Sequence, residues 1–182
     1  VNGNVTVQNT SGNTWTAVYT VNDNDTNDTD GAVTYSIAFS DTTGNAGTAV
    51  TSGSGSVTTD TTAPTLSGVS IASDNTNTSK AKANDDITLT FTASEAIGTP
   101  VVTFRSGGDA ITDGSVVYRN TSGNTWTAVY TANASDTDGA VTYSIAFGDT
   151  AGNAGTAVTS GSGSVTTDTT APTLSGVSIA SD

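Results

Sequence analysis

A stretch of 31 residues occurs twice in this chain without a single change. Residues 44–74 and 152–182 are identical, and both end in "VTTDTTAPTLSGVSIASD", 108 residues apart. A catalytic site needs one copy of its chemistry, whereas a structural module is commonly written many times in tandem. The spacing predicts a repeat of about 108 residues: 1–60 as the C-terminal part of one repeat, 61–168 as a complete repeat and 169–182 as the first strand of the next.

The composition narrows the possible functions. The chain has no His, Cys or Met, so it offers no imidazole base, no thiol nucleophile and no ordinary zinc site. Its 17 acidic residues outnumber 4 basic ones, and the net charge of −13 repels nucleic acid and anionic membrane surfaces. No apolar run is long enough to span a bilayer. We therefore expect a protein that is not an enzyme, does not bind nucleic acid and does not insert into a membrane through this segment.

Apolar residues alternate with polar ones along several segments. The letters "ITLTFTA" at 87–93, "TWTAVYT" at 125–131 and "VTYSIAF" at 141–147 each place their large apolar side chains on one face. This period of two is typical of half-buried antiparallel strands. It predicts seven strands, A to G, at 64–73, 86–93, 100–106, 114–119, 124–132, 141–147 and 156–166.

Seven short strands in one repeat, with turn residues between them, predict an all-β fold of tandem immunoglobulin-like β-sandwich repeats. A β-solenoid would need a shorter period, and a disordered stalk would lack the regularly spaced aromatic residues. In strand A the apolar parity changes between Leu66 and Val69, across Gly68, which predicts a strand that bends from one sheet to the other. Strand G, "AVTSGSGSVTT", has few side chains to bury and is expected to be an edge or lightly packed strand.

Three motifs resemble a known class of repeats. "TTDTTAPTLSGVSI", "FTASEAIGTPVVTF" and "YSIAFGDTAGNAGTAV" are similar to the bacterial immunoglobulin-like repeats of giant surface adhesins of the RTX type, which type I systems secrete. The resemblance covers the whole chain. It implies an extender segment that holds a ligand-binding tip away from the cell, often with calcium bound between domains. It also implies an extracellular location at the cell surface.

Nearly all of the acidic residues fall in predicted loops or at strand ends. In a sandwich of this kind the B–C and F–G loops lie at the same end as the start of strand A, and this places Asp60, Glu95 and Asp149 together. The end of the preceding repeat, with Asp28 and Asp30, would meet them at the linker "TTDTTAP". Carboxylates that converge in this way repel one another unless a cation lies between them.

Calcium is the cation that such a cluster predicts, because it takes six to eight hard oxygen ligands and binds extracellular modules at about 10⁻⁴–10⁻³ M. The other copies of these positions are Asp41 in the first F–G loop and, at the lower end of the complete repeat, Asp136, Asp138 and Asp168. An alternative interpretation is that Asp and Asn occupy turns because they hydrogen-bond their own backbone.

The leading functional hypothesis is a non-enzymatic spacer of a cell-surface adhesin or filament, stiffened by calcium at each junction between neighbouring repeats. One alternative is a carbohydrate- or ice-binding module, although the Trp and Tyr residues fall in phase with the core and predict no exposed aromatic platform. A second alternative is a fibre subunit completed by strand exchange with other copies of itself.

A separate expectation concerns the partial repeats at the two ends of the chain. Residues 1–60 would supply strands D to G alone and would expose Trp15, Tyr35, Ile37 and Phe39, while residues 169–182 would supply a single strand A. Neither end is expected to be a complete folding unit.

Overall fold

The computed structural model describes residues 5–22, 29–111 and 114–181. Across these ranges the chain is all-β and forms no helix. It divides into two compact units, Val1–Thr62 and Ala63–Asp182. We call them the first and the second unit.

The described residues of the first unit form four strands. β1 (Val5–Ser11) and β2 (Thr14–Tyr19) form an antiparallel hairpin, and β3 (Gly31–Ala32) pairs antiparallel with β4 (Thr58–Thr59). Between β3 and β4 the chain makes isolated antiparallel bridges, such as the one that joins Ile37 to Val50.

In the second unit, the residues that the structure describes form nine strands in two sheets. They are β5 (Leu66–Ser73), β6 (Lys80–Ala81), β7 (Asp86–Ala93), β8 (Val101–Ser106), β9 (Asp109–Ala110), β10 (Val117–Ser122), β11 (Thr125–Thr131), β12 (Gly139–Ala146) and β13 (Thr166–Thr167). One sheet has the order β10–β11–β7–β5 and the other the order β6–β13–β12–β8–β9. The buried apolar residues come from both sheets and form one core, an arrangement consistent with a β-sandwich.

The alternation in the sequence predicts the buried faces correctly. In β7 the side chains of Ile87, Leu89 and Phe91 are fully buried, while the threonines between them are only partly covered. In β12 the same alternation buries Tyr143 and Ile145. Strands B, C, E and F lie within two residues of their predicted bounds, but strand D begins at Val117 and not at 114.

Strand β5 bends where its apolar parity changes. Its register against β7 shifts between Ser67 and Ser70, and Gly68 adopts a φ of 59°, in the left-handed region that favours glycine. Past this bulge the other edge of β5 bonds to the segment that leads into β13. The N–H of Ile71 donates to the carbonyl of Ser162 (3.0 Å), and the N–H of Ser162 donates to that of Val69 (2.8 Å). The irregularity lies where it was predicted, but β5 stays paired with β7 as far as Ser73 and does not leave that sheet, so the predicted change of sheet is wrong.

Strand G is far shorter than predicted. Of the residues 156–166, only Thr166 lies in a regular strand. Val158 and Ser162 make isolated bridges, to Ile145 and Ser70. The physical reason is the glycine content. A Cβ added at Gly161 or Gly163 would overlap a carbonyl oxygen of β5, so the close approach of β5 requires glycine there, and a Ser/Gly segment forms a poor strand.

Asp85 anchors the loop between β6 and β7, a role that the sequence did not reveal. Its buried carboxylate accepts the Asn75 side-chain amide (2.6 Å), the Lys82 backbone N–H (2.9 Å) and the Lys82 Nζ (2.8 Å). The Asn75 hydrogen bond, followed by those from Lys82, lowers the pKa of Asp85 to about 2. The carboxylate therefore stabilises the fold in its charged form.

Candidate metal centre

Three segments meet at one end of the second unit, as the sandwich topology predicts. The N–H of Ser94 donates to the carbonyl of Thr65 (2.9 Å), and the N–H of Thr65 donates to the hydroxyl of Ser94 (3.0 Å). The loop that follows β7 is bonded in turn to the end of β12, because the N–H of Gly98 donates to the carbonyl of Gly148 (3.0 Å). These bonds fix the positions of Glu95 and Asp149.

Asp149 organises the loop "DTAGN". Its Oδ1 accepts the N–H groups of Ala151 (2.9 Å), Gly152 (2.7 Å) and Asn153 (2.8 Å), and its Oδ2 accepts the Asn153 side-chain amide (2.7 Å). Burial alone would raise the pKa of Asp149, but the hydrogen bonds from Asn153, Gly152 and Ala151 outweigh it, and the pKa lies below its ordinary value. The side chain is therefore ionised, and the three N–H groups take up the hydrogen-bond capacity of Oδ1.

Glu95 completes a carboxylate pair with Asp149. One oxygen of each side chain lies within 4.8 Å of the other, Asp149 is buried and Glu95 is half-buried. Two negative charges at about 4 Å repel by about 1 kcal/mol in water and by more where water is excluded. A hard cation placed between them would remove this repulsion, so the pair can contribute to a metal site.

The first unit repeats the loop of Asp149 at Asp41. Oδ1 of Asp41 accepts the N–H groups of Thr43 (2.9 Å) and Asn45 (2.8 Å), and Oδ2 accepts the Asn45 side-chain amide (2.8 Å). Its pKa is held well below the usual range, first by the Asn45 side chain and then by Thr43. The shared pattern Asp-x-x-Gly-Asn is therefore a loop-forming motif in both copies, and this agrees with the turn interpretation of these aspartates.

Asp30 and Asp138 bind the threonines of the linker sequence. Oδ1 of Asp138 accepts the N–H (2.7 Å) and the hydroxyl (2.9 Å) of Thr169, and its Oδ2 accepts the hydroxyl of Thr170 (2.6 Å). Asp30 makes the equivalent bonds to Thr61 and Thr62. These hydrogen bonds lower the pKa of both carboxyl groups, with the Thr62 hydroxyl foremost for Asp30 and the Thr169 N–H foremost for Asp138. Both residues hold the start of the linker against the preceding loop.

The other predicted ligands accept hydrogen bonds from residues near them in the chain. Asp136 accepts the hydroxyl of the buried Tyr130 (2.6 Å to Oδ2) and the N–H of Asn133 (2.8 Å). Asp60 and Asp168 each accept the N–H of the threonine two residues later (3.2 Å in both cases). In the part of the chain that the structure describes, Asp136, Asp138 and Asp168 do not form a group of three close carboxylates. Asp28 lies outside the described residues.

The aromatic residues behave differently in the two units. In the second unit Trp126 packs against the core from a half-buried position, and Tyr130 is fully buried, as their phase predicts. In the first unit Trp15, Tyr35 and Phe39 are exposed, together with Ile37. The expectation of exposed apolar side chains at these four positions is confirmed.

Comparisons with protein families, with curated proteins and with solved structures gave no match. Among the described residues there is no helix with the length and apolar character of a membrane span.

Proposed function

We propose that this chain is a non-enzymatic spacer from tandem immunoglobulin-like repeats of a bacterial cell-surface adhesin or filament, and that calcium stiffens the junction between successive repeats. The observation that carries the proposal is the close pair of carboxylates, Glu95 and Asp149, at the end of the second unit where the linker enters it. The exact repetition of 31 residues and the all-β architecture support it.

The carboxylate pair suits calcium by its chemistry. Calcium takes six to eight oxygen ligands and tolerates irregular geometry, so two carboxylates leave room for backbone carbonyls and water. The two carboxylate oxygens of Asp149 differ in their remaining capacity to bind a cation. Oδ1 already accepts three N–H groups, whereas Oδ2 accepts one and has lone-pair capacity for a cation. We assign Oδ2 and a Glu95 oxygen as ligands.

Asp60 is the third ligand that we propose, because of its place in the chain. It lies five residues before Thr65, and Thr65 is hydrogen-bonded to Ser94, next to Glu95. Five residues span at most about 17 Å, so the tether keeps the Asp60 carboxylate within reach of this end of the second unit. A ligand from the linker would couple calcium binding to the freedom of the linker, which is the property that a spacer needs.

Stiffening by calcium is tested by small-angle X-ray scattering of the full chain at low concentration. With calcium we expect a narrower distribution of interatomic distances and a better-defined maximum dimension than in chelator. Magnesium is the matched control, because it requires a stricter octahedral geometry and gives up its water reluctantly. The Glu95→Gln variant should scatter alike in calcium and in chelator. Wild-type profiles that coincide in calcium and chelator would refute the spacer mechanism.

A further inference from the structure

The serine- and glycine-rich segment that follows β12 in the second unit forms a poor strand, yet it is bonded to both of its neighbours. We call residues 158–168 the closing segment. It is bonded to β12, where Val158 and Ile145 exchange backbone hydrogen bonds (2.9 and 3.1 Å). It is also bonded to β5 and β6, the strands with which the second unit begins. The last paired segment of the unit is therefore joined directly to the first.

The direction of this pairing decides how it responds to force. The closing segment runs parallel to β5 at the bridge between Ser70 and Ser162, and β13 runs parallel to β6. When the first and last strands of a unit are parallel, the chain enters at one end of the pair and leaves at the other. Tension along the chain then slides the strands past each other and loads all of the hydrogen bonds between them at once. In an antiparallel pair the bonds would break one after another.

The hydrogen bonds to β5 depend on glycine. Ser162 uses both of its backbone polar groups, accepting from the N–H of Ile71 (3.0 Å) and donating to the carbonyl of Val69 (2.8 Å). A Cβ added at Gly161 would overlap the carbonyl oxygen of Val69, and one at Gly163 would overlap that of Ile71. The sequence "SGSGS" is therefore what this close pairing requires, although it weakens the segment as a strand.

A second set of hydrogen bonds joins the end of the closing segment to β6. The N–H of Thr166 donates to the carbonyl of Ser79 (3.0 Å), and the N–H of Asp168 donates to that of Ala81 (2.9 Å). The side chains beside these bonds are buried, because Ala81 is 2% and Thr167 is 1% exposed. Water has little access to replace a backbone hydrogen bond in such surroundings, so these bonds resist rupture.

We infer that the parallel pairing of the closing segment with β5 and β6 is a mechanical clamp that keeps the second unit folded under tension along the chain. The inference rests on the proposed spacer function, because a spacer at a cell surface bears load, but it does not involve the carboxylate pair. The core loses its packing only after the paired strands have slid apart, since they lie where the load enters and leaves the unit. Resistance to unfolding therefore depends on the direction of the load.

This directional resistance is measured by single-molecule force spectroscopy of the full chain in chelator. The chain has no cysteine, so pairs of introduced cysteines set the direction of the load. Ala63→Cys with Ser175→Cys loads the clamp in shear, whereas Val117→Cys with Thr131→Cys peels the edge strand β10 from β11 one bond at a time. All four positions are exposed. At the same loading rate, we expect a higher unfolding force in the first direction than in the second.

The clamp itself is tested by Gly163→Ala, whose added methyl group overlaps the Ile71 carbonyl oxygen. The matched control is Gly108→Ala, at a glycine with a similarly positive φ (95° against 77°) and open surroundings. With the load along the chain, only Gly163→Ala should raise the unfolding rate, by at least about tenfold, because it weakens backbone hydrogen bonds that must break first. With the load across β10 and β11, the two variants should unfold at nearly the same rate.

Equal unfolding forces in the two directions would overturn the inference. That comparison needs no substitution at the clamp, so it decides the matter even if Gly163→Ala does not fold. Equal effects of Gly163→Ala and Gly108→Ala under load along the chain would overturn the inference too. The force measurements are made in chelator and the stiffening by calcium is measured by scattering, so the clamp and the calcium mechanism fail separately.

Discussion

Replacing Ile145 with alanine is expected to lower the free energy of unfolding of the second unit by about 2–5 kcal/mol, because it leaves a cavity in a packed core. The same change in the other copy, Ile37→Ala, is expected to cost less than about 0.5 kcal/mol in the first unit, since Ile37 is half exposed. The local sequence is identical, so the difference measures what burial in the core of the second unit contributes to stability.

The measurement is hydrogen exchange in increasing urea, read from peptides of each unit. Both substitutions are measured at low protein concentration, so that association between chains does not cover Ile37. Equal losses of stability in the two units would show that Ile37 is buried in solution and would contradict its exposure in the first unit.

Asp85→Asn is expected to lower the stability of the second unit by about 1–3 kcal/mol, because the amide cannot accept all three hydrogen bonds that the charged carboxylate receives. Lys82→Met should cost less. The Lys82 side chain is mostly exposed, and its backbone N–H and the Asn75 amide would still bind Asp85.

The pH dependence of stability provides a second test of the role of Asp85. Its pKa is lowered from 3.8 to about 2 on folding, so the unfolded chain takes up the proton first as the solution is acidified. The contribution is fully present above about pH 4 and is lost as the pH falls towards 2. Urea denaturation between pH 6 and pH 2 should therefore show a smaller acid loss in Asp85→Asn than in the wild type. If the stability of the wild type and of Asp85→Asn falls in parallel, another carboxyl group is responsible for the loss of stability at low pH.

The sequence predicted the strands that bury every second side chain and failed where burial does not depend on alternation. β7 and β12 are recognisable because large apolar residues alternate with threonine or serine. Strand G was overestimated because its glycines accommodate the β5 backbone, a contact that no local pattern reveals. The bulge at Gly68 was predictable because the change of parity occurs within a few residues.

The positions of the acidic residues, too, were only partly predictable from the sequence. Glu95 and Asp149 were placed at one end of the sandwich by topology alone, and their loops do meet there. The bonds from Asp138 to Thr169 and Thr170 join residues about 31 positions apart, and spacing alone gave no sign of them. The signal that was available is that "TDG" and "TTDTT" recur together in both copies. Asp85 was missed because its partners, Asn75 and Lys82, lie in irregular segments on either side of β6.

Calcium binding at Glu95 and Asp149 is tested most directly by titrating calcium into metal-free, ¹⁵N-labelled protein and following the amide resonances. The account predicts shifts centred on residues 94–97 and 149–153, with a dissociation constant of about 10⁻⁴–10⁻³ M. Glu95→Gln should abolish these shifts, and Asp109→Asn, which changes a carboxylate bonded to the Thr137 hydroxyl elsewhere in the second unit, should leave them intact. A wild type whose resonances do not move, or a Glu95→Gln variant that binds equally well, would contradict it.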